Sequence, residues 1–378
     1  MKIALIRQRV TATGGAETTL GYLVRGMIAA GHDVTVYGTE REPEARAALG
    51  PLVAYVRVPV WGGKTLRLIS FALNTRRLLK AAGPLVGFSL ERVPGLAVYR
   101  AGDGCHREWL ARRTPYLSSP ARFAQNFSLF HQVMLSLEAR LFRDPGLLQV
   151  IANSQQVRED IIRLYGVDPA RLRLVYNGLD RQRFHPLDPV AAAALRRRLG
   201  APENSPVILF VGSGFERKGL PYLFQAFGRL TDKTSQLWVA GKGNVALFQQ
   251  AAKGLGVADR VKFWGPVTET APLYQAATVL ALPTVYDPCS NVVLEALGCG
   301  TPAVTTAANG AAEFIIPGEN GVILPEPDDI VGLAAALTAF LARGPDPEVR
   351  RAAAQAVAGL SWETTVAQTL EVLQEAGP

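Results

Sequence analysis

The chain of 378 residues is too long for one small domain, and its 48% hydrophobic content is enough to fill globular cores. With 19% charged residues, 36 Gly and 25 Pro, it is neither an acidic disordered chain nor a coiled coil, and no apolar run is long enough to span a membrane. The net charge of +8 is uneven, because residues 1–180 hold 24 Lys and Arg against 14 Asp and Glu, whereas residues 181–378 hold 16 against 18. The excess is concentrated in residues 51–143 and favours an anionic partner for that half, although a solvated basic surface has the same composition.

Short apolar runs alternate with helical patterns along the chain, which is typical of α/β architecture with parallel sheets. Turn residues and two prolines in residues 175–189 interrupt the periodicity, so we expect a link there between two sheets. A last helix is predicted after Ser361, which is its candidate N-cap. The first series of strands is predicted at 2–6, 33–37, 53–58, 85–88, 96–99 and 148–152, with helices at 17–30, 64–81 and 121–142. The second series is predicted at 207–211, 236–240, 261–264, 279–283, 303–305 and 322–324.

The start of the chain and the cysteines bear on the compartment. The apolar run before Arg7, Ile3 to Ile6, has only four residues, too few for the core of a signal peptide, so we expect a cytoplasmic protein. Three scattered cysteines are too few for a disulfide framework or a zinc site, and we expect them to be free thiols.

Two glycines follow the first predicted strand, where it turns into a helix. Gly14 and Gly15 let the backbone approach a phosphate, and the helix N-terminus adds donors and positive potential. An ordinary turn uses the same residues, so the pair alone leaves phosphate binding open.

A second strand-to-helix junction lies in residues 211–227. Gly212 and Gly214 begin a dinucleotide-binding pattern, but Arg217 occupies the place of its third glycine and Lys218 follows. Two adjacent cations at the end of a strand suit a diphosphate. A basic pair on the surface is the alternative.

Two acids lie eight positions apart in the apolar stretch 281–306. Asp287 falls in a loop after a strand, and Glu295 falls in a short helix that Asn291 can cap. We expect this step from loop to helix to aim both carboxylates into one site, where they can accept hydrogen bonds from sugar or ribose hydroxyls. Acids in so apolar a stretch are less easily dismissed as surface residues.

These segments together resemble the retaining glycosyltransferases of family 4, and the resemblance covers essentially the whole chain. It is carried by GGAE at 14–17, NGLD at 177–180, RKG at 217–219 and the stretch 281–306. Residues 86–110 and VGSGFERKGL add a narrower similarity to the lipopolysaccharide core glucosyltransferases.

The resemblance implies the GT-B fold, in which two Rossmann-like α/β domains face each other across a cleft. The acceptor-binding domain would comprise residues 1–176, and the nucleotide-sugar-binding domain residues 177–360. The C-terminal helix, residues 361–378, would return to the first domain.

The same resemblance implies donor-binding roles. Gly15, with Gly14 beside it, would approach the donor phosphates, and Arg217 and Lys218 would hold the diphosphate. Glu295 matches the glutamate that binds the nucleotide ribose. The segment between the two acids, Ser290, Asn291 and Val292, offers backbone amides to sugar or phosphate oxygens.

Two aspartates take the catalytic roles that the resemblance implies. Asp287 stands where the family has a second glutamate facing the transferred sugar, and it is one methylene shorter, which bears on the identity of the sugar. Asp103 lies between two glycines, where the residues alone favour an ordinary turn aspartate. The narrower similarity instead makes it the residue that orients or partly deprotonates the acceptor. The neighbours Cys105 and His106 are a poor nucleophile pair, because adjacent loop residues rarely face each other.

The reaction implied is transfer of a hexose from a nucleotide-diphosphate sugar, such as UDP-glucose, to a glycan or glycolipid such as the lipopolysaccharide core. Negative charge develops on the leaving diphosphate, and Arg217, Lys218 and amides near Gly15 would stabilise it. We therefore expect no metal and no cofactor besides the nucleotide-sugar donor, which agrees with the lack of an Asp-x-Asp motif.

The acceptor is expected on the basic N-terminal half. In the helix predicted at 121–142, apolar residues at spacings of four and three form one stripe among arginines. Core packing explains such a stripe, and contact with a phosphorylated glycolipid or with an anionic membrane, the inner face of the cytoplasmic membrane, is the other interpretation. The stripe consists of Phe123, Phe127, Phe130, Met134, Leu137 and Leu141.

Other classes of protein stay open at this point. A family 4 enzyme with another donor, such as GDP-mannose, or another cell-surface glycan as acceptor fits the same motifs, and so does a nucleotide-sugar epimerase of GT-B fold. A nicotinamide-dependent oxidoreductase is disfavoured by Arg217 in place of a glycine. Nucleic acid is the least favoured partner, because the aromatic residues are spaced for a helix face and not as a stacking platform.

Overall fold

The computed structural model describes residues 1–10, 15–50, 53–202 and 205–377. Contacts divide the chain into two compact units. The N-terminal unit comprises residues 1–178 and 361–378, and the C-terminal unit comprises residues 179–360. The sequence predicts the boundary between residues 176 and 177.

The N-terminal unit contains a seven-stranded parallel sheet, in the order β3-β2-β1-β4-β5-β6-β7. Its first six strands lie close to the apolar runs that predict them, and the predicted α/β fold is confirmed. The seventh, an edge strand of three residues, is absent from the prediction. The strands are β1 Lys2–Ile6, β2 Asp33–Gly38, β3 Ala54–Arg57, β4 Val86–Ser89, β5 Val98–Arg100, β6 Gln149–Ala152 and β7 Leu172–Leu174.

Seven helices connect the described strands of this sheet. They are α1 Gly15–Ala29, α2 Glu42–Leu49, α3 Lys64–Ala82, α4 His106–Arg113, α5 Ser119–Asn126, α6 Leu129–Phe142 and α7 Gln155–Tyr165, with 3₁₀ turns at Thr114–Tyr116 and Pro169–Arg171.

The prediction of a single helix over 121–142 is wrong, because the helical structure is interrupted between α5 and α6. Ser128 has extended backbone, and its hydroxyl accepts a hydrogen bond from the backbone N–H of His131, so it caps α6. A serine that hydrogen-bonds the backbone in this way competes with continuation of a helix. The hydrophobic period runs through the break, which is why periodicity alone misses it.

The C-terminal unit contains a six-stranded parallel sheet, in the order β10-β9-β8-β11-β12-β13. Strand β8 is buried along its whole length, as expected for a parallel strand covered on both faces. All six strands lie close to their predicted positions. They are β8 Val207–Val211, β9 Gln236–Ala240, β10 Val261–Gly265, β11 Val279–Leu282, β12 Ala303–Thr306 and β13 Gly321–Leu324.

The helices of this unit pack around one continuous hydrophobic core. They are α8 Pro189–Arg198, α9 Leu220–Arg229, α10 Val245–Gly254, α11 Ala271–Ala276, α12 Asn291–Gly298, α13 Ile330–Arg343 and α14 Pro347–Ala356, with 3₁₀ turns at Ala258–Arg260 and Gly310–Phe314.

The last helix, α15 (Trp362–Ala376), belongs to the N-terminal unit. Ser361 caps it as predicted, accepting a hydrogen bond from the backbone N–H of Thr364 at 3.1 Å. The Trp362 ring stacks on Tyr22 of α1 at 4.5 Å between centroids. Gly178 lies directly against Trp362, where any Cβ would come within 2.5 Å of the tryptophan backbone, so the crossing requires glycine. The helix buries Val366, Leu370, Val372 and Leu373 in the N-terminal core.

Candidate active site

The predicted donor-binding residues of the C-terminal unit gather where the strand order of its sheet reverses. Chain order runs outward from β8 in one direction through β9 and β10, and in the other through β11, β12 and β13. Ligands of open α/β sheets bind at the carboxyl ends of the strands beside such a reversal. The loop after β8 carries Arg217 and Lys218, and the loop after β11 carries Asp287.

Gly219 allows these two loops to touch. Its φ of +83° is left-handed, and a Cβ would lie 1.8 Å from the carbonyl oxygen of Pro283. Backbone bonding joins the loops beside it, since the Val285 N–H donates to the carbonyl oxygen of Arg217 at 3.0 Å. Glycine at 219 thus brings the preceding cations against the loop that carries Asp287.

A buried ion pair joins the two loops. The Lys218 ammonium donates to Oδ2 of Asp287, and these residues are 8% and 6% exposed. Arg217 Nη1 lies 3.8 Å from the same carboxylate oxygen and donates to the carbonyl oxygen of Tyr286 at 3.2 Å. Burial lowers the pKa of the Lys218 ammonium below its usual value, against the opposing effect of Asp287. The two cations thus share one carboxylate at the strand ends, leaving positive charge there for an anionic ligand.

The backbone of Asp287 is fixed by a third loop. Its N–H donates to the carbonyl oxygen of Ala308 at 3.0 Å, and its carbonyl oxygen accepts from the N–H of Gly310 at 2.9 Å. The Asn309 side chain accepts from the Ser290 N–H at 3.2 Å. Loops that follow three adjacent strands therefore hold this carboxylate in place.

The helix α12 begins at Asn291, and Ser290 stands at its N-cap position. The prediction that Asn291 caps this helix is therefore wrong by one residue. The Ser290 hydroxyl lies 3.5 Å from the Lys218 ammonium, and Val292 occupies the first turn behind it. Ser290 thus joins the cluster through its side chain, and the N-terminus of α12 adds positive potential.

Glu295 lies in the same helix, one turn further along, and is half-buried. Its Oε2 accepts from the Tyr274 hydroxyl at 2.8 Å. Burial raises the pKa of Glu295 to about 7, although Tyr274 and Arg183 pull it down. The carboxyl group therefore takes up a proton at a higher pH than an ordinary glutamate does, and its second oxygen lies outside the hydrogen bond with Tyr274.

Asp103 belongs to the N-terminal unit and follows β5. Its side chain is 50% exposed, and Oδ2 lies 3.7 Å from Nη1 of Arg7. The same Arg7 atom lies 3.2 Å from Glu91, whose Oε1 also accepts from the backbone N–H of Gln8 at 3.0 Å. Arg7 and Glu91 follow β1 and β4, where the strand order of this sheet reverses.

The remaining predicted residues of this unit have mixed outcomes. Gly14 lies outside the described residues, and Gly15 is the first residue of α1. Cys105 is buried, and burial raises the pKa of its thiol well above the usual value, so it is a poor nucleophile. Nε2 of His106 lies 3.1 Å from Nδ1 of His131.

The aromatic stripe is only partly core. Phe123 and Phe127 are 66% and 72% exposed, with ring centroids 4.5 Å apart, and Leu129 is also exposed. Leu141, at the other end, is fully buried. The core interpretation of the stripe is therefore wrong for its first two members.

Helix α3 has a second apolar surface of this kind. Leu66, Ile69 and Leu73 are exposed at helical spacing, and Trp61 lies exposed just before the helix. The helix contains five cations and no acid: Lys64, Arg67, Arg76, Arg77 and Lys80.

Several residues of these clusters have no individual signal in the sequence. Tyr274 reaches Glu295 from α11, and Arg7 and Glu91 are brought to Asp103 by strand order alone. Arg7 and Glu91 could be found by inspecting the residues that follow each predicted strand, because both lie just after strands at the reversal of order. Tyr274 lies within a helix and has no such signal.

Two family models match this chain. A model described as Glycosyltransferase Family 4 matches residues 13–183, and one described as Glycosyl transferases group 1 matches residues 205–343.

Similar curated proteins include two kinds of glycosyltransferase. The D-inositol 3-phosphate glycosyltransferase of Geodermatophilus obscurus is 36% identical over 233 residues, which cover 58% of this chain and 50% of that protein. The corresponding protein of Xylanimonas cellulosilytica is 34% identical over 60% of this chain and 57% of its own length. The chain thus matches little more than half the length of these relatives. The lipopolysaccharide glucosyltransferase WaaG of Escherichia coli is 25% identical over 332 residues, 86% of each chain.

Similar solved structures share the fold. A crystal structure of WaaG superimposes with a TM-score of 0.83 at 22% identity, covering 98% of this chain and 99% of that one. Anabaena HepE, in complex with UDP-glucose, gives a TM-score of 0.74 at 21% identity, covering 99% of this chain and 100% of that one.

Among the described residues, no helix is both long and apolar enough to cross a bilayer.

Proposed function

Because this chain belongs to the glycosyltransferases of family 4 and group 1 and has the GT-B fold, we propose that it transfers a hexose from a nucleotide-diphosphate sugar to a glycan or glycolipid acceptor, with retention of configuration. The observation that carries the proposal is the cluster at the strand reversal of the C-terminal unit. There Lys218 and Arg217 share the carboxylate of Asp287, and Glu295 lies one turn into the adjoining helix.

The two cations suit the leaving diphosphate. As the bond between the sugar carbon and the phosphate oxygen breaks, negative charge grows on the diphosphate, and cations held in fixed positions stabilise it. Lys218 is already held in place by Asp287, so little reorganisation is needed. We therefore propose that Arg217 and Lys218 take the part that a divalent metal plays elsewhere, and that the transfer needs no metal.

The acids suit the neutral parts of the donor. The free oxygen of Glu295 can accept from a ribose hydroxyl, since the Tyr274 hydroxyl bonds only the other oxygen. Asp287 can accept from a hydroxyl of the transferred sugar beside its bond with Lys218, because a carboxylate has about four acceptor positions. Backbone amides of Asn291 and Val292 lie at the N-terminus of α12, where phosphate and sugar oxygens are bound favourably. The Ser290 N–H already donates to the Asn309 side chain, so Ser290 is left with its hydroxyl for the ligand.

We assign the acceptor to the N-terminal unit. Asp103 is exposed and ionisable, and it can accept a hydrogen bond from an acceptor hydroxyl, orienting its oxygen toward the sugar carbon. Its neighbour Arg7 is a cation that suits an acceptor phosphate. Gly15, the first residue of α1, is assigned to the donor phosphates.

The proposed donor is UDP-glucose, and the proposed acceptor is a phosphorylated glycolipid such as the lipopolysaccharide core. The donor is supported by HepE, whose solved complexes contain UDP and UDP-glucose, and by the glucosyltransferase WaaG. The basic charge of the N-terminal half supports a phosphorylated acceptor.

A peripheral contact with an anionic membrane at the cytoplasmic face completes the proposal. The exposed pair Phe123 and Phe127 and the exposed stripe of α3 are large apolar groups among cations. Apolar side chains that enter the headgroup region, together with flanking Lys and Arg, are what such binding requires. Nucleic acid is not proposed as a partner.

The test is a panel of labelled nucleotide sugars, each with and without purified core lipopolysaccharide and with and without a chelator. We expect label from UDP-glucose to appear in the lipid fraction, to depend on acceptor and to survive chelation. Isomerised sugar without acceptor would indicate an epimerase instead. Transfer from GDP-mannose would replace the proposed donor, and transfer abolished by the chelator would contradict metal independence.

A further inference from the structure

The loop that carries Asp103 is held from outside by buried side chains. This loop, residues 101–105, contains two glycines, and Gly104 has a left-handed φ of +63°. The Arg92 guanidinium donates from Nη2 to the carbonyl oxygen of Gly104 at 2.6 Å. A loop with glycine on both sides of its functional residue has high intrinsic freedom, so an external bond of this kind restricts it.

The other end of the Arg92 guanidinium bonds to Glu138 of α6, with Nε to Oε2 at 2.7 Å. Glu138 is completely buried and accepts three further hydrogen bonds. Two come from the backbone N–H groups of His106 at 2.6 Å and Arg107 at 3.1 Å, and one from the Tyr165 hydroxyl. This one carboxylate therefore binds the first turn of α4, directly after the 101–105 loop.

A third bond restrains the other side of Asp103. The Asn153 amide, which follows β6, donates to the carbonyl oxygen of Gly102 at 3.2 Å. The residues immediately before and after Asp103 are thus each bonded to a buried side chain, whereas the aspartate itself is half-exposed.

Burial of the charged Arg92–Glu138 pair carries a desolvation free-energy cost that an apolar pair would not have. Two charges leave water, and apolar pairs of similar volume are often as stable. Burial would raise the pKa of Glu138, but Arg92 and the N–H and O–H donors hold it below its usual value, so the group stays a carboxylate. A permanent negative charge at the N-terminus of α4 also interacts favourably with the helix dipole.

We propose that Arg92 and Glu138 are positioning residues that hold the backbone around Asp103 in the geometry required for the acceptor step. The inference rests on the proposed role of Asp103. Neither side chain needs to touch the substrate. Their effect is to limit the movement of the aspartate, since a displacement of about 1 Å in a reacting group lowers a rate by about 100-fold.

The test compares Arg92→Met and Glu138→Gln with the native chain and repeats both substitutions in an Asp103→Asn background. We expect each single variant to lower kcat by about 10-fold to 100-fold, with donor KM unchanged. In the Asp103→Asn background, we expect either substitution to change kcat by less than about twofold, because residues acting through Asp103 are not additive with its loss. Arg92→Lys, which keeps the charge, should recover part of the rate.

Two controls separate positioning from folding. Arg163→Met breaks ion pairs with Glu108 and Asp160 in the same unit, and it should lower stability in urea without lowering kcat. Slow hydrolysis of UDP-glucose, in which water takes the glucosyl group and UDP is released, should be unchanged in the Arg92 and Glu138 variants when no acceptor is present. This reports an intact donor site even where stability falls.

The outcomes are distinct. Unchanged kcat in Arg92→Met and Glu138→Gln, or losses that add fully to that of Asp103→Asn, would overturn the positioning role while leaving the proposed function in place. Full activity of Asp103→Asn itself would remove the proposed role of Asp103, and the positioning role with it. Loss of acceptor-free UDP release in the Arg92 and Glu138 variants would show a general structural effect and also overturn the inference.

Discussion

The two units hold their candidate residues in opposite ways, although all of these residues follow the carboxyl ends of strands. In the C-terminal unit, Lys218 and Asp287 are both below 10% exposed and bind each other. In the N-terminal unit, half of the Asp103 side chain is open to solvent. In the proposed reaction, the buried pair would hold charge in place for the leaving diphosphate. The exposed aspartate would rely on its restrained loop for position and leave space for the acceptor.

The largest expected effect comes from removing the fixed cations. Arg217→Ala combined with Lys218→Ala should lower turnover of nucleotide sugar by at least about 100-fold to 1,000-fold, the usual loss for one donor aimed at developing charge. Turnover is measured as UDP release with acceptor present. The exposed Lys253 provides the matched control, since Lys253→Ala removes a cation remote from the strand reversal. Unchanged turnover in the double variant would contradict the donor site.

Removing Lys218 alone leaves Asp287 buried without its lysine, which lowers stability as well as activity. The combination Lys218→Met and Asp287→Asn removes both charges. We expect it to fold with near-native urea stability and to stay inactive, which separates loss of chemistry from loss of fold.

The second effect depends on the raised pKa of Glu295. Burial raises the pKa of Glu295 to about 7, and an ionised carboxylate accepts a hydrogen bond from a hydroxyl more strongly than a protonated one does. Donor affinity should therefore weaken as the pH falls below 7, by at most about tenfold for each pH unit. Glu295→Gln should bind the donor more weakly than the ionised native chain does and lack this dependence. Isothermal titration of UDP between pH 5.5 and 8.5 measures both. A native chain with no change in affinity across pH 7 would contradict the ribose role.

The raised pKa of Glu295 can also be tested without ligand, through the pH dependence of stability. The folded pKa of this group is raised from 4.5 to about 7, so the folded state binds the proton more tightly than the unfolded state. Stability from this group is therefore full below about pH 4.5 and is lost as the pH rises to about 7. Glu295→Gln should lack that part of the pH dependence of Tm.

The smallest effect concerns the exposed surface of the N-terminal unit. Phe123→Ser with Phe127→Ser should lower co-sedimentation with anionic vesicles by about tenfold, since each ring buries apolar area in the headgroup region. Binding of the native chain should be absent with neutral vesicles and lost at high salt. The control variant, Val190→Ser with Val331→Ser, replaces two exposed apolar residues of the C-terminal unit. It should leave co-sedimentation with anionic vesicles unchanged. Equal recovery of the native chain with neutral and anionic vesicles would contradict the contact.

The fold was largely accessible from the sequence because buried parallel strands are continuous apolar runs. The strand Leu172–Leu174 cannot be predicted in this way, because three residues with a central arginine at a sheet edge carry too little pattern. Nor can the interruption at Ser128, because one local hydrogen bond decides it while the hydrophobic period continues unchanged.

The residues of the candidate site also fall into those that the sequence can identify and those that it cannot. Lys218, Asp287 and Glu295 lie in motifs, so the sequence could mark them, yet it could not show that the first two bind each other. Arg92 and Glu138 are 46 positions apart and have no motif, and their pairing depends on where α6 packs. Partners across such distances are set by tertiary structure.

The crossing at Gly178 and Trp362 makes the C-terminal unit an insertion within the N-terminal one. During synthesis at about 5–20 residues per second, about 180 residues are added between the last strand of the first sheet and the helix that covers part of its core, a delay of roughly 10 to 40 s. Throughout that delay the N-terminal core lacks Val366, Leu370 and Leu373, which are among its last residues to be made. The inserted unit has a core of its own that is complete by residue 360, so the unit whose synthesis begins first is the last to receive all of its core residues.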